Sequence, residues 1–149
     1  MAIVPFQPSH VDGFRLLVSE TLREFGTVTG RTRRCGWLDL VALRYAVRLN
    51  GITSLALTKL DVLSSFAQVP VCVAYRLRDG TETREFPAHQ SDFHHCRPVY
   101  ESLPGWQEPI DDGLPDAARA YVEFVEQQLG VEISLVGTGA ERERVVALR

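Results

Sequence analysis

Lysine is almost absent from this chain: of its 149 residues only Lys59 is lysine, and every other cationic side chain is arginine. Long apolar runs are absent too. No stretch approaches the ~20 residues a membrane-spanning helix requires, and 45% hydrophobic with 23% charged residues is the balance of a soluble globular chain. Cysteine is scarce: Cys35, Cys72 and Cys96 are odd in number and show no C-x-x-C spacing, and the N-terminus has no basic region followed by an apolar signal core. A reducing cytoplasm is the expected setting. Charge of one sign is not in large excess. At −3 the chain has no global attraction for nucleic acid or an anionic membrane, so phosphate or carboxylate binding must come from local arginine clusters. No G-x-S-x-G or other nucleophile context occurs. His89, His94, His95 and Cys96 lack the paired spacing of a zinc site, so no metal is expected from them. The length fits a single domain, 1–149, with one core.

The pattern along the chain alternates helices and strands. Ser9 to Arg23 reads as an amphipathic helix, with Val11, Phe14, Leu17, Val18 and Leu22 at helical spacing. A polar, glycine-containing loop follows from Phe25 to Arg34. A second helix begins near Asp39, carries Val41, Ala42, Tyr45, Ala46 and Leu49 on one face, and ends at Asn50-Gly51, where the glycine can take the left-handed closing conformation. The apolar run Ser54-Leu55-Ala56-Leu57 is a strand leading into Lys59. Val71 to Leu77 and Thr81 to Phe86 flank Arg78-Asp79-Gly80, a hairpin signal. Pro87 to Leu114 reads mostly as ordered loop, with a short strand around Val99-Tyr100. Pro115 opens a third helix with Ala118, Tyr121, Val122, Val125 and Leu129 on its inner face and Gly130 closing it. Val131 to Val136 is a second apolar strand, bounded by Gly137-Thr138-Gly139. Leu55 to Thr58 and Ile133 to Val136 read as buried on both faces. The order implies an α/β layer with at least one parallel pair.

Three segments could carry chemistry. In Leu57-Thr58-Lys59-Leu60-Asp61, a lysine and an aspartate two apart at a strand exit suit a guanine base. The lysine stem can lie over the ring while the carboxylate accepts from N1–H and the 2-amino group. Adenine lacks both donors, and a site built to pair with them rejects it strongly. A strand end with a surface Lys and a helix-capping Asp fits the same residues. Gly137-Thr138-Gly139 would fall at the carboxyl end of a neighbouring strand, where open α/β sheets gather ligands, and could offer backbone N–H groups to the base edge; a plain glycine turn fits it equally. Thr27 to Arg34 packs three arginines, three threonines and a flexible glycine into a loop that is an anion site by composition, or an exposed basic loop.

Longer stretches then match a family. Pro5-Phe6 with Pro8, Arg23-Glu24-Phe25-Gly26-Thr27-Val28-Thr29-Gly30-Arg31, Arg33-Arg34-Cys35-Gly36-Trp37-Leu38-Asp39, Leu57-Thr58-Lys59-Leu60-Asp61-Val62-Leu63, Val71-Cys72-Val73-Ala74-Tyr75, Pro98-Val99-Tyr100-Glu101, Leu103-Pro104-Gly105-Trp106 and Thr138-Gly139 keep the order of one pattern. The chain resembles the C-terminal third of adenylosuccinate synthetase. The resemblance implies an α/β fold with a partial P-loop-NTPase-like parallel sheet layer, helices and an antiparallel hairpin excursion. It implies a cytoplasmic, homodimeric enzyme of purine biosynthesis that joins inosine monophosphate (IMP) to L-aspartate at the expense of GTP, through a 6-phosphoryl intermediate, giving adenylosuccinate, GDP and phosphate. Carried onto this chain, Lys59, Asp61, Gly137 and Gly139 would bind guanine (segments 57–61 and 137–140). Thr27, Val28, Thr29, Gly30, Arg31 and Arg33 would hold aspartate and IMP within a loop spanning 25–37.

Two departures matter. Gly137-Thr138-Gly139-Ala140 stands where the family usually has Ser-Thr-Gly-Pro. The family's glycine-rich phosphate loop, its catalytic aspartate and histidine and its Mg2+ ligands have no counterpart in these 149 residues. The expectation is therefore a fragment, split-gene product or short paralogue, inactive alone and completed by an N-terminal catalytic partner or a second copy. The alternative is a non-catalytic nucleotide-binding or interaction module that docks on a full-length synthetase.

Overall fold

The computed structural model describes residues 36–108, 110 and 113–148. The helix expected over Ser9 to Arg23 and the loop from Phe25 to Arg34 lie outside them. In chain order come β1 (Leu38–Asp39), α1 (Leu40–Asn50), β2 (Ser54–Leu57), a 3₁₀ helix (Asp61–Ser65), β3 (Gln68–Arg76) and β4 (Glu82–Thr83). They are followed by α2 (Gln90–His95), β5 (Arg97–Pro104), α3 (Asp116–Leu129), β6 (Glu132–Gly137) and β7 (Val145–Ala147). The expected α/β class with parallel strand pairs is present, and the pairs lie in two separate mixed sheets. In one, β3 pairs parallel with β1 and antiparallel with β4 and β5. In the other, β6 is central, parallel to β2 and antiparallel to β7.

Asp39 ties the first sheet together. Its Oδ1 accepts the Ala42 N–H at 3.0 Å and so caps α1, while Oδ2 accepts the Tyr75 hydroxyl of β3 at 2.5 Å. Strand, helix and neighbouring strand thus meet on one carboxylate that is 2% exposed. Helix α1 ends as expected, with Gly51 at φ 59° closing it in the left-handed region, where a missing Cβ removes the steric cost. Its expected inner face needs correction. Leu40 and Val41 are the buried residues, and Leu49 is 65% exposed. An eight-residue separation leaves a side chain about 80° round from its starting direction at 3.6 residues per turn, so Leu49 rotates off the face that Val41 defines.

The D-G hairpin forms as expected. Gly80 has φ 86°, the Leu77 N–H donates to the Thr81 carbonyl at 2.8 Å, and Tyr75 and Arg76 stand opposite Thr83 and Glu82. Pro87 to Leu114 holds more regular secondary structure than the expected ordered loop: α2 and an eight-residue β5 occupy much of it. Pro98 and Pro104 mask β5 in the sequence. Both are tolerated because β5, among the described residues, is an edge strand whose pairing partner is β3, and a proline there gives up a ladder donor without breaking the sheet.

Helix α3 buries the predicted stripe of Ala118, Tyr121, Val122, Val125 and Leu129 and closes on Gly130. That stripe joins Leu40, Leu60, Val69, Val71, Trp106, Ile133 and Val136 in the main core. A smaller cluster of Val41, Cys72, Tyr75 and Cys96, with Phe86 and Phe93 against it, lies beside the first sheet, so the single expected core is one core with a satellite. Burial pushes the Cys72 thiol up to about 12, which keeps it protonated and inert. The second sheet corrects another expectation. Ile133 and Val136 are buried, but Leu135 is 42% exposed, Ala56 is exposed, and Leu55 and Leu57 are half-buried. Core packing reaches one face only; on the other, the register row Ala56, Leu135 and Ala147 stays open, with Val145 beside it.

The Asp39 node supplies a stability prediction. Asp39→Ala removes a helix cap worth about 0.5–2 kcal/mol and strands the buried Tyr75 hydroxyl at about 1–3 kcal/mol, so denaturant unfolding should show a loss of about 2–4 kcal/mol. Burial, opposed by the Tyr75 hydrogen bond, raises the Asp39 pKa above 3.8. The native chain therefore holds this proton more readily than the unfolded one. The associated stability is fully present below pH 3.8 and is lost as pH rises through the native value. Asp39→Asn should erase that contribution; an unchanged pH dependence in a series of unfolding curves would count against it.

Candidate functional site at the carboxyl ends of β2 and β6

Parallel pairing of β2 with β6, in the register Leu57 against Val136, places both carboxyl ends side by side. Thr58 to Asp61 leaves one end and Gly137 to Gly139 leaves the other. The two segments touch directly. The Leu60 N–H donates to the Gly137 carbonyl at 3.0 Å, and a Cβ on Gly137 would lie 3.3 Å from the Thr58 Cα. Leu60 is buried in the main core and anchors the crossing.

On either side of Leu60 stand the two residues singled out in the sequence. Lys59 has φ 64°, the one non-glycine positive φ among the described residues. That region costs an L-residue with a side chain roughly 1–2 kcal/mol, and such strain gathers at functional sites. Asp61 begins the 3₁₀ helix, where Ser64 Oγ donates to its carbonyl at 2.5 Å. Its carboxylate Oδ1 is buried and has no hydrogen-bond partner among the described residues. A buried acceptor without a donor carries a desolvation cost of about 1–3 kcal/mol or more. The helix-capping alternative for Asp61 is not realised: the cap position of the 3₁₀ helix is Leu60, with no side-chain cap hydrogen bond.

Across the crossing, the turn after β6 is already partly committed. The Thr138 N–H donates to the Arg144 carbonyl at 2.9 Å, and the Arg144 N–H to the Glu141 carbonyl at 3.1 Å. The Gly139 N–H makes no backbone hydrogen bond among the described residues. The Arg144 side chain lies against Gly139, where a Cβ would meet its Cγ at 2.8 Å. Sequence reasoning missed β7 and this packing; the signal was the short β-branched run Val145-Val146 after the charged stretch Glu141 to Arg144.

The other predicted contacts divide in two. Thr27, Val28, Thr29, Gly30, Arg31 and Arg33 lie outside the described residues. The end of their loop does not: Trp37 packs edge-on against Phe66 at 5.2 Å, one residue beyond the 3₁₀ helix that Asp61 begins. The same helix is braced from the far side. The Gly105 N–H donates to the Ala67 carbonyl at 2.9 Å, and a Cβ on Gly105 would come within 1.8 Å of the Phe66 carbonyl oxygen. His95 Nδ1 pairs with the Ser91 carbonyl at 2.7 Å and Cys96 is buried. Among the described residues no group of three or more His, Cys, Asp or Glu is placed to hold a metal, so the Mg2+ implied by the resemblance finds no ligand set in them.

By fold and site this is a mixed α/β protein that gathers a strained lysine, an open carboxylate and a glycine turn where a parallel pair ends, the usual ligand position of its class. Comparison with known proteins narrows the class. The adenylosuccinate synthetase family model matches residues 5–146. The adenylosuccinate synthetase of Acidothermus cellulolyticus is 49% identical over 150 residues, covering 97% of this chain and 35% of the relative. That of Mycobacterium tuberculosis is 50% identical, covering 97% and 34%. Among solved structures, fully ligated adenylosuccinate synthetase from Plasmodium falciparum superposes with a TM-score of 0.89 at 33% identity, over 97% of this chain and 36% of that one. The chain belongs to the adenylosuccinate synthetase family, and it spans about a third of the length of these relatives.

Lys59→Gly tests the backbone strain. Glycine takes φ near 60° without the Cβ cost, so the ligand-free variant should be more stable to urea by about 1 kcal/mol. A less stable variant would mean that the lysine side chain's own contacts outweigh the backbone penalty.

Proposed function

We propose that this chain is the guanine-reading and aspartate-holding region of an adenylosuccinate synthetase, acting in the GTP-dependent joining of IMP to L-aspartate. The observation that carries the reading is the buried Asp61 Oδ1 without a partner, next but one to a left-handed Lys59. A carboxylate held open in this way matches the N1–H and 2-amino donors of guanine, and the lysine supplies an apolar stem and a charge over the ring. Gly139 and Gly137 complete the edge from the neighbouring strand. Thr27, Val28, Thr29, Gly30, Arg31 and Arg33 would bind the aspartate carboxylates and reach IMP, since guanidinium forks and threonine hydroxyls suit both anions. GTP enters as co-substrate. Phosphoryl transfer depends on phosphate positioning and charge stabilisation, which fall to the part of the family length this chain does not span. The proposed setting is the cytoplasm; no helix among the described residues is long and apolar enough to cross a membrane.

Isothermal titration calorimetry tests the base reading. GDP should bind more tightly than IDP, which keeps N1–H but lacks the 2-amino group, and ADP should bind weakest. Asp61→Asn should cost about 1.5–3 kcal/mol in GDP affinity and little in ADP affinity. Equal affinities of the parent chain for GDP and ADP would sink the reading. The purified 149-residue chain should form no adenylosuccinate from IMP, aspartate and GTP with Mg2+. Turnover that disappears in Asp61→Ala would show the catalytic apparatus to be present after all.

The open row Ala56, Leu135, Ala147 and Val145 supports a partner reading for the same chain. Parallel pairs are ordinarily covered on both faces, and β2 is an edge strand of its sheet among the described residues. The proposed occupant is the remaining two-thirds of a synthetase, with a second copy of this chain as its substitute. Sedimentation over a wide concentration range should show self-association, relieved by Leu135→Glu. A strictly monomeric chain that binds no hydrophobic dye would refute it.

A further inference from the structure

Strand β5 keeps one edge open. β3 supplies its ladder on one side, and among the described residues no strand pairs with the other. The Val99 N–H turns toward the Cys72 sulfur of β3, and backbone groups alternate sides along a strand, so Pro98, Tyr100, Ser102 and Pro104 present theirs outward. That edge offers N–H donors from Tyr100 and Ser102 alone, because the prolines have none. Prolines placed in this way blunt an edge against indiscriminate pairing. The side chains are as open as the backbone. Arg97, Tyr100, Glu101 and Ser102 are exposed, and neither Arg97 nor Glu101 forms an ion pair among the described residues. Arg97, Val99 and Glu101 project from one face of the strand, Pro98 and Tyr100 from the other.

This order is self-complementary. When two copies pair antiparallel with Val99 opposite Val99, Arg97 of each stands opposite Glu101 of the other, and Pro98 stands opposite Tyr100. Two cross-strand ion pairs then flank the symmetry axis at non-hydrogen-bonded positions, where facing side chains come closest. Both outward donors are used as well: the Tyr100 N–H meets the Pro98 carbonyl of the other copy, and the Ser102 N–H meets its Cys96 carbonyl. The Cys96 N–H is already committed to the Asp92 carbonyl at 2.9 Å and Pro98 has none, so no outward N–H is stranded. Neighbouring registers fail on charge. Centred on Tyr100, Arg97 faces Leu103 and Glu101 faces Val99; centred on Glu101, two carboxylates meet. We infer that the open edge of β5 is a docking surface for a second copy of this chain, joined by two-fold antiparallel pairing about Val99. This edge belongs to the first sheet and the open row around Leu135 to the second, so the two surfaces act independently.

Analytical ultracentrifugation and amide exchange test the pairing. Leu135→Glu blocks the open row and leaves β5 untouched, so its association should stop at a monomer–dimer equilibrium that weakens as salt is added. Arg97→Glu or Glu101→Arg, each added to Leu135→Glu, brings like charges together at both pairs and should weaken dimerisation about tenfold. Mixing the two reversed chains in equal amounts should restore it, because each offers the charge the other lacks. Raising the concentration of the parent chain should slow amide exchange at Tyr100 and Ser102. That readout does not depend on position 135 and decides the matter if Leu135→Glu fails to fold. A folded Leu135→Glu chain that stays monomeric overturns the inference, as does a dimer indifferent to both reversals or one that mixing fails to restore. Protection of Tyr100 and Ser102 that appears only when a full-length synthetase is added assigns the edge to that partner and overturns it too.

Discussion

Parallel pairing of β2 with β6 obliges the chain to travel from Leu57 back to Glu132 before the second strand can start in the same direction. Everything between them is the crossover, and in this protein the crossover contains the 3₁₀ helix, the whole of β3 to β5 and helix α3. The long excursion has two results. It returns α3 against Ile133 and Val136, joining both sheets in one core. It also delivers the chain so that two separate loops, distant in sequence, emerge at one end of the pair. An antiparallel arrangement would have sent them to opposite ends, and no contact between Leu60 and Gly137 could form.

A second node works at shorter range. Asp39 caps α1 with one oxygen and receives the Tyr75 hydroxyl on the other, so the start of the helix and the carboxyl end of β3 are held by one side chain. Burial makes that arrangement expensive for a free carboxylate, and the two hydrogen bonds offset the cost. Tyr75 in turn packs on Phe86 and Phe93, which extends the satellite cluster over the hairpin and α2. Arg44 links this layer to α3 through its hydrogen bond to the Gln128 carbonyl at 3.1 Å. The two parts of the core are therefore coupled by side chains as well as by the backbone.

Much of this was legible where one physical signal dominated. The α3 stripe, its Gly130 stop, the Gly51 stop of α1 and the Gly80 turn each follow from local patterning, and each occurs where the pattern places it. The family resemblance was legible because its motifs run through most of the chain. Where tertiary pairing decides, local signals failed. Strand β5 contains two prolines and alternates poorly, yet β3 supplies its ladder. Leu135 looks like core and faces outward because a register shift after Leu55 turns the strand relative to its partner. At the site, the choice of Lys59 and Asp61 came from residue type and spacing, but the left-handed backbone of one and the unpartnered oxygen of the other could not. Neither leaves a mark in the local sequence, because the crossing with Gly137 and the burial of Leu60 bring together segments distant along the chain.

The two tryptophans of the chain converge on the same short segment from different directions. Trp37 meets Phe66 edge-on at the end of the 3₁₀ helix, while Trp106 follows the glycine that is bonded to Ala67 and lies 3% exposed beside Tyr121, its indole N–H without a partner. A dry indole without a hydrogen bond emits at short wavelength, and a half-exposed one emits further to the red. The chain's ultraviolet emission is therefore the overlap of a bluer component from Trp106 and a redder one from Trp37, whose ring packs on Phe66 at the end of the 3₁₀ helix. The 3₁₀ segment that Asp61 begins thus carries its own optical gauge, with no foreign label attached.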